Sequence, residues 1–213
     1  MKDYTTILEW SDEEILKEVD DIKYLYGLKD VIRYGIERKE ELTTQSVAEH
    51  SALMILLAKY FLKLEKNLDH LDVIKIYEMI MVHDIVEIET GDYPTFKRTD
   101  EINKKEEEML AVVGRKSPEL LSKNIVDYVD EYERQTSEEA RFVKALDKFE
   151  PSFYMMGDAG KKMIREGTKL TRKQFEYCKE KEAYAVSDYP VMAKFHRIIT
   201  EYLEENNYFI ADE

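Results

Sequence analysis

His50 lies in Val47-Ala48-Glu49-His50-Ser51. His83 and Asp84 stand side by side in Met81-Val82-His83-Asp84-Ile85-Val86-Glu87, and Asp147 lies in Ala145-Leu146-Asp147-Lys148. Each is set in a strongly apolar helical pattern. Imidazoles and carboxylates are costly among Leu, Ile and Met unless something compensates them. One divalent cation held by all four would do so. Neighbours on a helix diverge by about 100°, so His83 and Asp84 reach one ion only if it sits at the helix edge, between facing helices. His50 on the preceding helix and Asp147 on a later one would close the site, as facing helices do in metal-binding bundles.

Two imidazoles and two carboxylates give mixed nitrogen and oxygen ligation. That suits Mn, Co, Fe, Ni or Zn better than Mg or Ca, which prefer oxygen alone. Four protein ligands around a six-coordinate ion leave room for a water and a substrate oxygen. Such an ion lowers the pKa of the water and polarises the phosphoryl or carbonyl group under attack. Glu87 is four residues after His83, on the same helix face one turn on. It can orient the water or move a proton without being a ligand. The bland alternative is that each polar residue is a satisfied core group. Joint occurrence weighs against it: the chain has four His, and two of them fall in these patterns beside acids. His70, in Asn67-Leu68-Asp69-His70, reads as a loop residue, and His196, beside Arg197, as a surface residue of the last helix.

The elements that must position these groups read as helices throughout. Gly (7) and Pro (4) are scarce, helix formers abound, and strict apolar alternation is absent, so an all-α fold is expected. Ser11 caps a first helix to about Gly27, and Leu28 to Tyr34 reads as a short second one. Ser46-x-x-Glu49 is a capping box opening a helix to about Lys66, with Leu53, Leu56, Leu57, Tyr60 and Phe61 as its apolar face. A helix from Asp69 or Asp72 to Glu89 is apolar almost all round, which predicts a buried central element. Gly91-Asp92-Tyr93-Pro94 ends it in a turn. Further helices are expected over about 100–113, 118–133, 137–156 and 189–204. Lys161, Lys162, Arg165, Lys169, Arg172 and Lys173 form a basic stretch that reads as a solvated face. No repeat or Pro/Gly-rich linker appears, so residues 1–213 read as one unit, with the motif-bearing core at about 20–160.

The net charge of −14 argues against binding polymeric nucleic acid, whose phosphates an acidic surface repels. A small phosphorylated substrate remains open, because a metal and one or two Arg reverse the sign locally. Cys178 is the single cysteine, so no internal disulfide forms. The N-terminus lacks the apolar stretch of a signal peptide, and no apolar run suits a membrane span, so a cytoplasmic setting is expected.

The order His50, His83-Asp84, Asp147 resembles the signature of the HD-domain phosphohydrolase superfamily. Ser46 to Ser51, His83 to Glu87, Thr90-Gly91-Asp92-Tyr93-Pro94 and Ala145 to Lys148 are similar to its bacterial 5′-deoxynucleotidase branch, over roughly residues 20 to 160. The resemblance implies an all-α HD-domain helical bundle, usually a homodimer. It implies His50, His83, Asp84 and Asp147 as metal ligands and Glu87 as the acid that activates water. It implies Asp92 as the acid that contacts the sugar and disfavours a ribose 2′-hydroxyl. Arg33 matches an Arg that binds the phosphate, with Arg38 as the alternative across the long loop from Gly35 to Gln45. The family has Trp after that Arg; here Tyr34 follows, and its ring could stack on a base or sugar. The expected activity is a metal-dependent phosphomonoesterase acting on (deoxy)nucleoside 5′-monophosphates. The alternatives are another small phosphate ester as substrate, or a silent nucleotide-binding regulatory protein.

Overall fold

Two capping boxes set the first two long helices. In α1 (Asp12–Leu25) the Ser11 side chain accepts the Glu14 N–H, and the Glu14 carboxylate accepts the Ser11 N–H. In α2 (Val47–Phe61) Ser46 and Glu49 repeat the exchange. Each box satisfies backbone donors that a helix start leaves without partners. This computed structural model describes residues 4–212; Met1, Lys2 and Asp3, part of the N-terminal stretch read above for a leader, and Glu213 lie outside the described residues.

The chain continues as α3 (Val73–Val82), the single turn α4 (Glu87–Thr90), α5 (Asp100–Lys116), α6 (Glu119–Arg134), α7 (Glu138–Tyr154), α8 (Gly157–Lys162), α9 (Arg172–Ala185) and α10 (Pro190–Glu205). Among the described residues there is no β-strand, only three isolated bridges. The fold is all-α, as expected. No helix among these residues is long and apolar enough to cross a membrane.

The main core lies between α2, α3, α7 and α10. Phe61 of α2 packs against Phe149 and Phe195 with ring centroids 5.5 and 5.4 Å apart, and Phe149 meets Phe153 at 4.9 Å. Such pairs contribute about 0.5–1.5 kcal/mol each beyond their buried area. They clamp α2 onto α7, which brings His50 of one opposite Asp147 of the other.

Several expected details differ. The α2 face that turns inward carries His50, Met54, Ala58 and Phe61, while Leu53, Leu56 and Tyr60 stay exposed. α3 buries Ile76, Met79 and Ile80 but exposes Ile74 and Met81, because α2, α6 and α7 cover one side of it only. The helix expected to run on to Glu89 stops at Val82. Residues 83–86 form tight turns, with Ile85 N–H to Val82 O and Glu87 N–H to Asp84 O both at 3.0 Å. The helix expected over Leu28 to Tyr34 is replaced by single turns, Tyr26–Lys29 and Arg33–Gly35. Tyr34 and Gly35 have φ of 68° and 60°, which no right-handed helix accommodates. Instead residues 31–33 lie antiparallel to 45–47, with Arg33 N–H on Gln45 O at 2.9 Å and Val47 N–H on Val31 O at 3.0 Å.

Part of the basic stretch has a structural task. Lys161 donates to Asn206 O, and Arg165 to Asn207 O and Phe209 O. These carbonyls lie at or just past the C-terminal end of α10, where cations are favoured. His196 is not on the surface: it is buried in α10 and meets Glu182 Oε2 at 3.1 Å, which in turn accepts from Ser152. The carboxylate removes the cost of burying the ring. His70 is exposed and paired with Glu138, in line with its loop reading.

Candidate metal centre

His50, His83, Asp84 and Asp147 each offer one ligand atom, and these atoms lie within 4.8 Å of one another. The break after α3 makes this geometry. His83 caps the helix, and its Nδ1 lies 2.8 Å from Ile80 O, the acceptor that an unbroken helix would offer to the Asp84 N–H. A carbonyl only accepts, so Nδ1 carries the proton and the neutral ring has a bare Nε2. The tight turn that follows brings Asp84 round to the same side, with Oδ2 at 3.2 Å from His83 Nε2.

His50 is held in the same sense. Its Nδ1 lies 2.7 Å from Glu150 Oε2, leaving Nε2 to face Asp147 Oδ1 at 3.4 Å. Neither Nε2 has a hydrogen-bond partner, and both are buried. Two bare nitrogens facing two carboxylates put lone pairs against lone pairs, an arrangement that a cation between them relieves. The electrostatics agree. Burial disfavours a charged His83, but Asp84 and Asp147 outweigh it and raise its pKa. Burial likewise opposes ionisation of Asp84, yet His83 chiefly holds its pKa below the ordinary value. For Asp147 burial is again outweighed, by Lys148, His50, His83 and Lys144, and its pKa is lowered. Asp147 Oδ2 accepts from Tyr132 Oη at 2.7 Å and from Lys148 Nζ at 3.0 Å, so Oδ1 is the oxygen free to ligate. The donor set therefore fits a divalent ion with mixed nitrogen and oxygen ligands.

The centre opens into a cavity of about 480 Å³. Arg33, Tyr34, Glu87 and Asp92 line it, together with Lys144 and Lys148. Arg33 is buried, with Nε and Nη1 lacking hydrogen-bond partners. Burial lowers the pKa of its guanidinium, but Tyr34, Asp92, Glu150 and Asp84 outweigh that and raise it, so it stays charged. Arg38 is exposed, pairs with Glu49 at 3.2 Å and does not line the cavity. Glu87 is 4% exposed with Oε2 unpaired. Burial, then the charges of Asp84 and Asp92, push its pKa well above the carboxylate range. The Asp92 carboxylate accepts the Tyr34 N–H and so holds that residue at its positive φ. It does not serve the turn that follows it. A bulky residue at positive φ is strained, and such strain clusters at functional sites. The Tyr34 ring stacks on Tyr154 at 6.4 Å.

Sequence reasoning brought the four clustered residues together but missed the layer behind them. Glu150 meets His50 and is held by Gln45, and Tyr132, which accepts from Lys144, donates to Asp147. A signal existed for Glu150: an acid three residues after Asp147, on the face that carries Phe142, Leu146 and Phe149 inward.

An all-α fold with a His, a His-Asp pair and a distant Asp converging on one point is the arrangement of an HD domain. The HD domain family matches residues 25–188, and the chain belongs to it. It is 32% identical over 125 residues to the 5′-deoxynucleotidase HDDC2 of Bos taurus, covering 58% of each chain. It is also 32% identical over 125 residues to the Mus musculus protein of that name, covering 58% of this chain and 60% of that one. The chain thus spans less than two thirds of these relatives' own length. The solved structure of a predicted metal-dependent phosphohydrolase from Magnetospirillum magnetotacticum MS-1 superposes with a TM-score of 0.73, covering 93% of this chain and 96% of that one. At 18% identity that likeness speaks for the fold.

Proposed function

We propose that this chain is a metal-dependent phosphomonoesterase that hydrolyses nucleoside 5′-monophosphates, with deoxy forms preferred. The observation that carries the reading is the pair of bare, buried imidazole nitrogens facing Asp84 and Asp147, beside a cavity that His83, Asp84, Asp147, Arg33 and Glu87 line. The relatives named as 5′-deoxynucleotidases support the substrate class. His50, His83, Asp84 and Asp147 would hold one divalent ion, with Mn, Co, Fe, Ni or Zn favoured over Mg. When bound, the ion supplies an activated water and offsets charge on the phosphoryl group.

The chain's own residues do the rest. Arg33 offers Nε and Nη1, neither hydrogen-bonded within the chain, to phosphoryl oxygens, and charge-assisted contacts of this kind are strongest in a buried site. With a cation bound, Glu87 is favoured in its ionised form, and its unpaired Oε2 then accepts a proton from the attacking water. Asp92 has one oxygen on the Tyr34 N–H; the other meets a deoxyribose 3′-hydroxyl and crowds a 2′-hydroxyl. Phosphate release from a panel of deoxy- and ribonucleoside 5′-monophosphates, each with Mn, Co, Ni, Zn and Mg separately, tests this. Hydrolysis of the monophosphates with a transition metal supports it. No release from any of them overturns it.

Two copies are proposed to pair. Leu53, Leu56 and Tyr60 form an exposed stripe on α2, and Leu16, Val19 and Ile22 another on α1. Contiguous exposed apolar surface commonly marks an interface. Light scattering should give a dimer that Leu56→Glu converts to monomer; a monomeric unmodified protein contradicts the pairing.

A further inference from the structure

Glu150 stands where three parts of the site meet. It is 1% exposed, on α7 three residues after Asp147. Oε2 lies 2.7 Å from His50 Nδ1 and 4.0 Å from Arg33 Nη1. Oε1 accepts from Gln45 Nε2 at 2.7 Å. Gln45 in turn accepts the Arg33 N–H through its backbone carbonyl at 2.9 Å. One carboxylate therefore bonds the candidate ligand His50 and the side chain of Gln45, the residue to which the Arg33 backbone is bonded, and its charge faces the Arg33 guanidinium at 4.0 Å.

We propose that Glu150 is a positioning residue that fixes His50 in its Nδ1–H tautomer and holds Arg33 toward the metal cavity. The claim rests on the metal and phosphate roles proposed above. A carboxylate with an amide N–H on one oxygen and a guanidinium nearby presents an acceptor to His50, not a donor. The His50 proton is thereby drawn to Nδ1, and the Nε2 lone pair is aimed at Asp147 and the ion. With the same carboxylate facing the Arg33 charge and bonded to Gln45, which holds the Arg33 backbone, the metal ligand and the phosphate-binding group are set at a fixed spacing. Gln45 sets the carboxylate plane through its bond to Oε1.

The test uses Co(II) affinity by chelator competition and the His50 tautomer by long-range proton–nitrogen NMR of the metal-free protein. Glu150→Gln keeps the shape but has only one acceptor oxygen to share between His50 and Gln45. It should bind Co(II) about 10–100-fold more weakly, the usual cost of losing an outer partner of a ligand. It should also show His50 as a tautomer mixture, and KM for a phosphomonoester should rise as Arg33 loosens. Gln45→Leu should weaken Co(II) binding in the same direction by less. Unchanged Co(II) affinity and an unchanged tautomer in a folded Glu150→Gln protein overturn the proposal. If that variant does not fold, the unmodified protein decides: a His50 Nδ1–H supports the proposal and an Nε2–H overturns it. Neither readout needs turnover. A protein that binds Co(II) at this site but cleaves no nucleotide therefore refutes the proposed activity while leaving Glu150 tested.

Discussion

Glu87→Gln should move stability and turnover in opposite directions. Glu87 is 4% exposed, and burial first, then Asp84 and Asp92, hold its pKa well above the ordinary value. In the metal-free folded protein Glu87 thus keeps its proton to higher pH than in the unfolded chain. The folded state is favoured on the acid side, and that advantage is lost as pH rises from the unfolded pKa through the folded one. The loss approaches about 1.4 kcal/mol per pH unit. Gln has no proton to lose. The variant should therefore match the unmodified protein near pH 4.5 and gain on it with up to that slope at higher pH. With metal bound, kcat should fall by about 10²–10⁴, or roughly 2.7–5.5 kcal/mol of barrier, while metal content stays unchanged. Urea unfolding by circular dichroism from pH 5 to 8 with chelator gives the first quantity, and steady-state phosphate release the second. Stability curves that stay parallel across this range would refute the electrostatic reasoning. Turnover within a few-fold of normal would remove Glu87 from the chemistry.

Asp92→Ala removes the acceptor that holds Tyr34 at positive φ. It should lower kcat/KM for all nucleotides and narrow the deoxy-to-ribo ratio; an unchanged ratio contradicts its part in sugar choice. Burial, and then the charge of Glu182, push the Cys178 thiol up to about 12, against a weaker opposing pull from Lys148. Its thiolate fraction at pH 8 should be about 10³-fold below that of an ordinary cysteine, so iodoacetamide should react far more slowly with the folded protein than with the urea-unfolded chain. Comparable rates would refute this. Gly160→Ala places a Cβ 2.1 Å from Met155 O, and backbone cannot yield cheaply there. A loss of about 1–3 kcal/mol in urea unfolding is expected; an unchanged midpoint refutes the clash.

The parts of the fold legible in the sequence were those fixed by neighbours in the chain. Ser11 and Ser46 start helices because their partners, Glu14 and Glu49, are three residues away. The clustering of His50, His83, Asp84 and Asp147 was legible because polar groups in apolar patterns need a shared reason to be there. What failed depended on distant contacts. Periodicity placed the apolar face of α2 on Leu53, Leu56, Leu57, Tyr60 and Phe61, whereas the stripe that faces α7 carries Met54, Ala58 and Phe61. At the helix break His83 bonds Ile80 O through its side chain, a contact that propensity does not encode. Tyr34 at positive φ depends on Asp92, 58 residues on. His196 looked like a surface residue because its partner Glu182 lies on another helix. For the same reason the role of Tyr132 was invisible until α6 and α7 stood together, and the signal for Glu150 had meaning only once α2 faced α7.

The central claim is one divalent ion held by His50, His83, Asp84 and Asp147, and metal stoichiometry tests it most directly. The unmodified protein, Glu87→Gln and the alanine variants of the four residues should be dialysed against Co(II) and analysed by mass spectrometry. About one ion per chain is predicted for the unmodified protein and for Glu87→Gln, with each alanine variant falling well below it. Full occupancy in any folded alanine variant, or none in the unmodified protein, would contradict the four-residue site.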